Sequence, residues 1–204
     1  MAQIQNVDYQ AIPGHARQMR SLGKDLNREE KSAYTSAQNM HNSWYGKRYN
    51  ELIKQFNNSV SLINEMLQLV VTDIPVTLEK VSNNYSQADR GSNVTSVGGD
   101  QPTKLSNIPV INDVGMKFIS SQVEATRNSV SNNFKNAKDK MNSISSEFNK
   151  VKWSSEAADA FKAKFNSLKA NITSNFDEIQ QNFTKLMRQA QEDIEKAESS
   201  NTVQ

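Results

Sequence analysis

His15 and His41 are the only imidazoles in a 204-residue chain that has no cysteine, so acid–base and metal chemistry have few side chains to use. Placed on one helix, the two histidines stand ~39 Å apart along its axis, at about 1.5 Å per residue. That separation excludes a joint metal or proton-relay site. No serine has a histidine near it in a nucleophile–base arrangement. Gly98-Gly99-Asp100 is not followed by a helix opening with Lys-Ser or Lys-Thr, as a phosphate loop requires. The chain is expected to be no enzyme and to need no cofactor or metal.

Recognition chemistry is better represented. Trp44 and Trp153 are 109 residues apart, and behind each runs the same row of apolar positions. At that offset Leu52 pairs with Phe161, Phe56 with Phe165, Ile63 with Ile172 and Leu67 with Phe176. The register continues through Val70 with Ile179, Ile74 with Phe183, Leu78 with Met187 and Tyr85 with Ile194. It closes on Asp89 and Glu198, each 45 residues after its tryptophan. One register held over that length reads as two copies of one structural unit, a duplication.

The elements that must position these residues are long helices. Met19, Leu22, Leu26, Ala33, Ala37 and Met40 recur at helical spacing and predict a first helix from about Asp8 to His41. Pro13 belongs in its first turn. Asn42-Ser43-Trp44-Tyr45-Gly46 reads as a turn in which Gly46 tolerates positive φ. A second helix follows from about Lys47 to Asp89, with a kink at Pro75 or a short break re-capped by Thr72 or Asp73. A third spans about Asp113 to Lys150 on Phe118, Val130, Phe134, Met141 and Phe148. The fourth covers about Ser154 to Ser199, capped by Ser154 or Ser155, and is straighter because Thr184 stands in the place of Pro75. Residues 200–204 should fray.

These helices group as residues 1–90, a linker at 91–112, and residues 113–204. The linker carries Gly91, Gly98-Gly99, Pro102 and Pro109 among small polar residues. Roughly twenty extended residues reach ~60 Å, enough to run back along a hairpin or to join neighbouring ends. Seven glycines and four prolines are few for a turn-rich β protein, and a mean hydropathy of -0.72 suits slender helices with wet outer faces. The fold class expected is all-α: two helical hairpins in tandem, packed as an antiparallel four-helix bundle, a pseudo-dimer in one chain. A lone hairpin buries one seam, whereas two facing hairpins bury a core at roughly 25 cal/mol per Å².

Charge excludes some partners. Residues 1–90 hold 10 basic and 9 acidic side chains, and residues 91–204 hold 14 and 13. Net charges of like sign leave apolar contact as the means by which the units pair. No basic block tracks a phosphate backbone, so nucleic acid is not an expected partner. No apolar run approaches the ~18 residues of a membrane span. The opening residues Met1 to Asn6 lack the basic and apolar segments of a general secretory signal. Lys135, Lys138, Lys140, Lys150, Lys152, Lys162 and Lys164 cluster about the second bend. They read first as a solvated face, and second as a contact for an anionic membrane or wall surface.

A helix of some thirty residues, the Trp44-Tyr45-Gly46 bend, a second long helix and the Tyr85-Ser86-Gln87-Ala88-Asp89 end together carry a resemblance. The unit resembles the Trp-X-Gly, early-secreted-antigen-like proteins exported by type VII secretion systems. The match covers residues 1–90 well and about 110–199 as a weaker copy. That copy reads Trp153-Ser154-Ser155 without the glycine, and Ile194 to Glu198 without the tyrosine. The resemblance implies a secreted, extracellular or cell-surface protein that leaves by the type VII route. It implies a secretion ATPase as partner and a recognition surface drawn from Trp44, Gly46, Tyr85, Asp89, Trp153 and Glu198. Asp89 opposes the helix dipole, which fits a residue kept for recognition. The expected role is that of a secreted substrate or effector acting through protein contacts, with a helical toxin or a host protein as further partners. The rival readings are an intracellular adaptor that escorts a helical toxin to the secretion machine, and a membrane-active helical protein.

Overall fold

The computed structural model describes residues 7–89, 97–112 and 115–201. Asp8 opens the fold as a turn, not as helix: its carboxylate accepts the Ala11 N–H at 3.2 Å. Helix α1 then runs Ile12–Asn39, with Pro13 in the first turn, where its missing N–H leaves no gap. A 3₁₀ turn at Met40–Asn42 leads to the two-residue strand β1, Trp44–Tyr45. Helix α2 (Lys47–Gln68), a π turn (Leu69–Asp73) and helix α3 (Ile74–Ala88) form one rod. Strand β2 (Lys117–Phe118), α4 (Ser120–Lys150) and α5 (Glu156–Ser200) complete the order. Gly91, the expected helix start at Asp113 and the end beyond Asn201 lie outside the described residues. Ser200 is still helical, one residue past the expected end of order.

Of the two outcomes expected at Pro75, the re-capped break does not occur. Pro75 has no N–H for the Val71 carbonyl, and the rod widens instead of breaking: the Ile74 N–H reaches back five residues to Leu69. Arg20 of α1 supplies a substitute donor, its Nε reaching the Val71 carbonyl at 3.4 Å. No side chain caps α3, so neither Thr72 nor Asp73 has the capping role. Thr72 donates instead to the Asp100 carbonyl at 2.7 Å, and Asp73 accepts from Gln68 at 3.1 Å. Gly23 lets α1 lie against this turn, since a Cβ there would stand 2.8 Å from Val71 Cγ2. In the second hairpin α5 is unbroken over 45 residues, with Thr184 at the corresponding place.

The third helix is also shorter than its apolar row suggested. It begins at Ser120, and Phe118 lies in β2, drawn out of helical geometry by pairing with Trp44.

The fold is an all-α, antiparallel four-helix bundle. Contacts run from α1 to α4 and from α2 to α5, across the two hairpins. Asp25 meets Lys140, and Glu29 meets Asn136, while Arg48 meets Asp193 and Glu65 meets Lys164. Rising numbers on one helix against falling numbers on the other make both pairs antiparallel. The core crosses all four helices through aromatic contacts: Tyr34 to Phe56 at 5.3 Å, Phe56 to Phe134 at 5.8 Å, Phe134 to Phe176 at 3.9 Å. Most positions that share a register share burial. Phe56 and Phe165, Ile63 and Ile172, Leu67 and Phe176, and Ile74 and Phe183 are all buried. Phe161 and Met187 are only half-buried where Leu52 and Leu78 are enclosed, so the second hairpin is the looser of the two.

Candidate functional site

The six residues singled out from the sequence fall at two ends of the bundle. Trp44, Gly46 and Glu198 belong to one end; Tyr85, Asp89 and Trp153 belong to the other.

At the first end Trp44 is 1% exposed. It stacks on Phe183 of α5 at 6.0 Å and meets Phe118 and Tyr49 edge-on at 5.5 and 6.2 Å. Its indole ties the two hairpins together and is not presented to a partner. The strands β1 and β2 pair antiparallel over it, Trp44 opposite Phe118 and Tyr45 opposite Lys117. Gly46 has φ +115°, and a Cβ there would lie 3.4 Å from the Gly115 carbonyl. The bend thus needs glycine for its dihedral. What this end offers outward is a shallow groove lined by Tyr45, Gly46, Met116, Asp193 and Ile194. Arg48 closes one side, its Nε 3.0 Å from Asp193, and that hydrogen bond holds the guanidinium protonated above its ordinary range. Glu198 is exposed one turn beyond Ile194.

At the second end Tyr85 is half-buried and Asp89 exposed. The Tyr9 hydroxyl donates to the Asp89 carboxylate at 2.6 Å, which with the carboxylate charge pushes the Tyr9 phenol up. Ser82 fixes the same segment by donating to the Tyr9 carbonyl at 2.7 Å. Here α1 begins and α4 ends, joined by His15 and Glu147 at 2.7 Å. Burial alone would raise the Glu147 carboxyl, but hydrogen bonds from His15 and Lys150 bring it below its ordinary value. His41, in the 3₁₀ turn past the far end of α1, bonds the Gln38 carbonyl at 2.8 Å. Trp153 lies half-buried against the core, three residues past the end of α4. Its bend needs no glycine, because Val151 and Ser155 turn the chain with extended dihedrals at negative φ. Ser155 caps α5, its Oγ accepting the Ala158 N–H at 3.1 Å.

The lysine cluster is largely neutralised. Lys138, Lys140, Lys150 and Lys164 face Asp177, Asp25, Glu147 and Glu65, and the Lys162 ammonium sits 5.7 Å over the Phe148 ring. Among the described residues no group of three His, Cys, Asp or Glu is placed to hold a metal, and no helix is long and apolar enough to cross a membrane.

Two polar features were not read from the sequence. Glu30 is 0% exposed and neither carboxylate oxygen has a hydrogen-bond partner. Burial pushes its carboxyl well above its ordinary value, and burial together with the Glu30 charge raises the neighbouring Tyr34 phenol. The signal was a seven-residue gap in the α1 stripe between Leu26 and Ala33, with Glu30 four residues after Leu26. The second is a row of asparagines on α2. Asn50, Asn57 and Asn64 each donate to a linker carbonyl, of Ile111, Ile108 and Leu105, at 2.6, 2.9 and 2.9 Å. Each also accepts the N–H of that same residue, at 2.9, 2.8 and 2.8 Å respectively. The linker therefore runs back along the first hairpin, antiparallel to α2. The heptad spacing of the asparagines was the available signal.

Comparison with protein-family models, with curated proteins and with solved structures gives no match for the chain.

Proposed function

We propose that the protein is a non-enzymatic substrate of a type VII secretion system, which acts outside the cell as an effector through protein–protein contacts. The observation that carries this reading is the second end of the bundle. There the Tyr85 to Asp89 helix end, with a half-buried phenol and an exposed carboxylate, shares one end of the bundle with the Trp153 bend of the other hairpin. One hairpin supplies the tyrosine and the acid, and its partner supplies the bend, as in the two-chain pairs of the family that the sequence resembles. Covalent linkage makes that pairing intramolecular, at an effective concentration of order mM. An ATPase reading this surface would meet both halves already assembled.

Export assays test the proposal. Tyr85→Ala and Asp89→Ala should each abolish appearance of the protein in the medium while leaving helical circular dichroism unchanged. Tyr9→Phe removes the hydroxyl that holds Asp89 but leaves the carboxylate, and should still be exported. Normal export of both Tyr85→Ala and Asp89→Ala defeats the reading. Retention of the wild type in the cytosol with a co-purifying helical toxin would replace it with the adaptor role.

A further inference from the structure

The linker is held as a ligand is held. Along α2 the asparagines recur every seventh residue, a rise of ~10.5 Å at about 1.5 Å per residue. Along the linker their partners recur every third residue, a rise of roughly 9–10 Å for an extended chain. The two repeats match, so one amide after another meets the backbone of Leu105, Ile108 and Ile111 in both directions, as a neighbouring strand would. Burial follows the same three-residue repeat. Leu105 and Ile108 are 8% and 4% exposed and Ile111 is half-buried, while Ser106, Asn107, Pro109 and Val110 all face water. Asn27 of α1 extends the contact by donating to the Thr103 carbonyl at 2.8 Å.

Backbone bonds of this kind do not depend on which side chains stand at the two outward positions of each triplet. Selection rests on the inward residue, which must be aliphatic, and on the absence of proline there, since its N–H is used. We propose that the face of α1 and α2 carrying Asn27, Asn50, Asn57 and Asn64 is a peptide-binding site. In this chain it is filled by Leu105 to Ile111 as an intramolecular ligand. From a partner it takes an extended segment with an aliphatic residue at every third position, running antiparallel to α2, in exchange for the linker.

The test uses the full chain with Leu105→Ser, Ile108→Ser and Ile111→Ser, which loosens the resident segment, and a fluorescent peptide copying residues 101–112. The peptide should bind this chain saturably and at least tenfold tighter than it binds the wild type, whose site is filled. Adding Asn50→Ala, Asn57→Ala and Asn64→Ala should weaken binding at least tenfold, as should a peptide with its aliphatic residues moved to every second position. Equal binding to the wild type and the loosened chain, or binding indifferent to the asparagines, overturns the proposal. Should the loosened chain lose its helicity, amide exchange on the wild type decides. The Leu105, Ile108 and Ile111 amides should be protected yet exchange by local opening, well before the core amides around Phe56. Exchange of those three only on global unfolding would mean that the segment never leaves, and would overturn the proposal equally.

Discussion

The two bends of the bundle carry equivalent tryptophans in different surroundings. Trp44 is enclosed by Phe183, Tyr49 and Phe118, and strand β2 lies across it. Trp153 is half-buried, on a bend of five residues that reaches α5 through the Ser155 cap. The difference comes from chain order. The segment that leaves the first hairpin must pass the first bend to begin α4, and it brings Lys117 and Phe118 with it. Among the described residues no strand pairs with the second bend as β2 pairs with the first. Gly46 is needed at the first bend, where φ is +115°, and Val151 and Ser155 turn the second bend at negative φ, which fits Trp-X-Gly in the first copy and Trp153-Ser154-Ser155 in the second.

The strongest way to break this comparison is to cut both indoles back. Trp44→Ala removes contacts to both hairpins and is expected to cost about 3–5 kcal/mol, as for a large aromatic lost from a packed core. Trp153→Ala, half in water already, should cost well under half as much. Urea unfolding followed by circular dichroism measures both. Equal losses would mean that the second bend is as firmly covered as the first.

Gly46 sharpens the same point at the backbone. At φ +115° a side chain is strained whatever the space around it. Gly46→Ala should therefore destabilise by about 1–3 kcal/mol. Ser155→Gly at the second bend keeps the turn and loses only a cap, a few tenths of a kcal/mol. A Gly46→Ala chain as stable as the wild type would remove the requirement that separates the two bends.

What could be read from the sequence followed from local periodicity. The rows through Ile63, Leu67 and Ile74, and through Ile172, Phe176 and Phe183, declare their helices because apolar residues recur at the pitch of the element that buries them. The Gly46 dihedral was legible for a similar reason, since a sharp reversal favours glycine. The cover over Trp44 was not, because β2 is two residues long and its partner lies more than seventy positions away. Phe118 was read as the first apolar position of the third helix, and its tertiary pairing with Trp44 overrode that reading. Asn50, Asn57 and Asn64 look like a wet helical face until their partners, 41 to 61 residues distant, are known. Of the candidate recognition residues, the sequence placed the bends and helix ends but could not tell which tryptophan would be enclosed.

The last comparison sets Glu30 against Lys138, which stands at the same place in the second copy at the offset of 108 that pairs Leu22 with Val130, Leu26 with Phe134 and Met40 with Phe148 in the first helices of the two units. Glu30 is sealed in the core without a hydrogen-bond partner, whereas Lys138 reaches the surface and pairs with Asp177. In the unfolded chain the Glu30 carboxyl ionises near its ordinary value of 4.5, while in the fold burial keeps the proton on it to a higher pH. Folding thus takes up a proton above that value, and stability falls as pH rises through the window until the folded carboxyl also ionises. Glu30→Leu removes a buried polar group and should raise stability by about 1–2 kcal/mol at neutral pH, with the gain shrinking toward pH 4. Glu30→Gln should flatten the pH dependence in that window, since the amide does not titrate. Lys138→Leu, at the wet counterpart, should leave the slope as it is. Denaturant midpoints between pH 4 and 8 read all three. A slope that survives Glu30→Gln would assign the titration to another group and return the two hairpins to electrostatic equivalence.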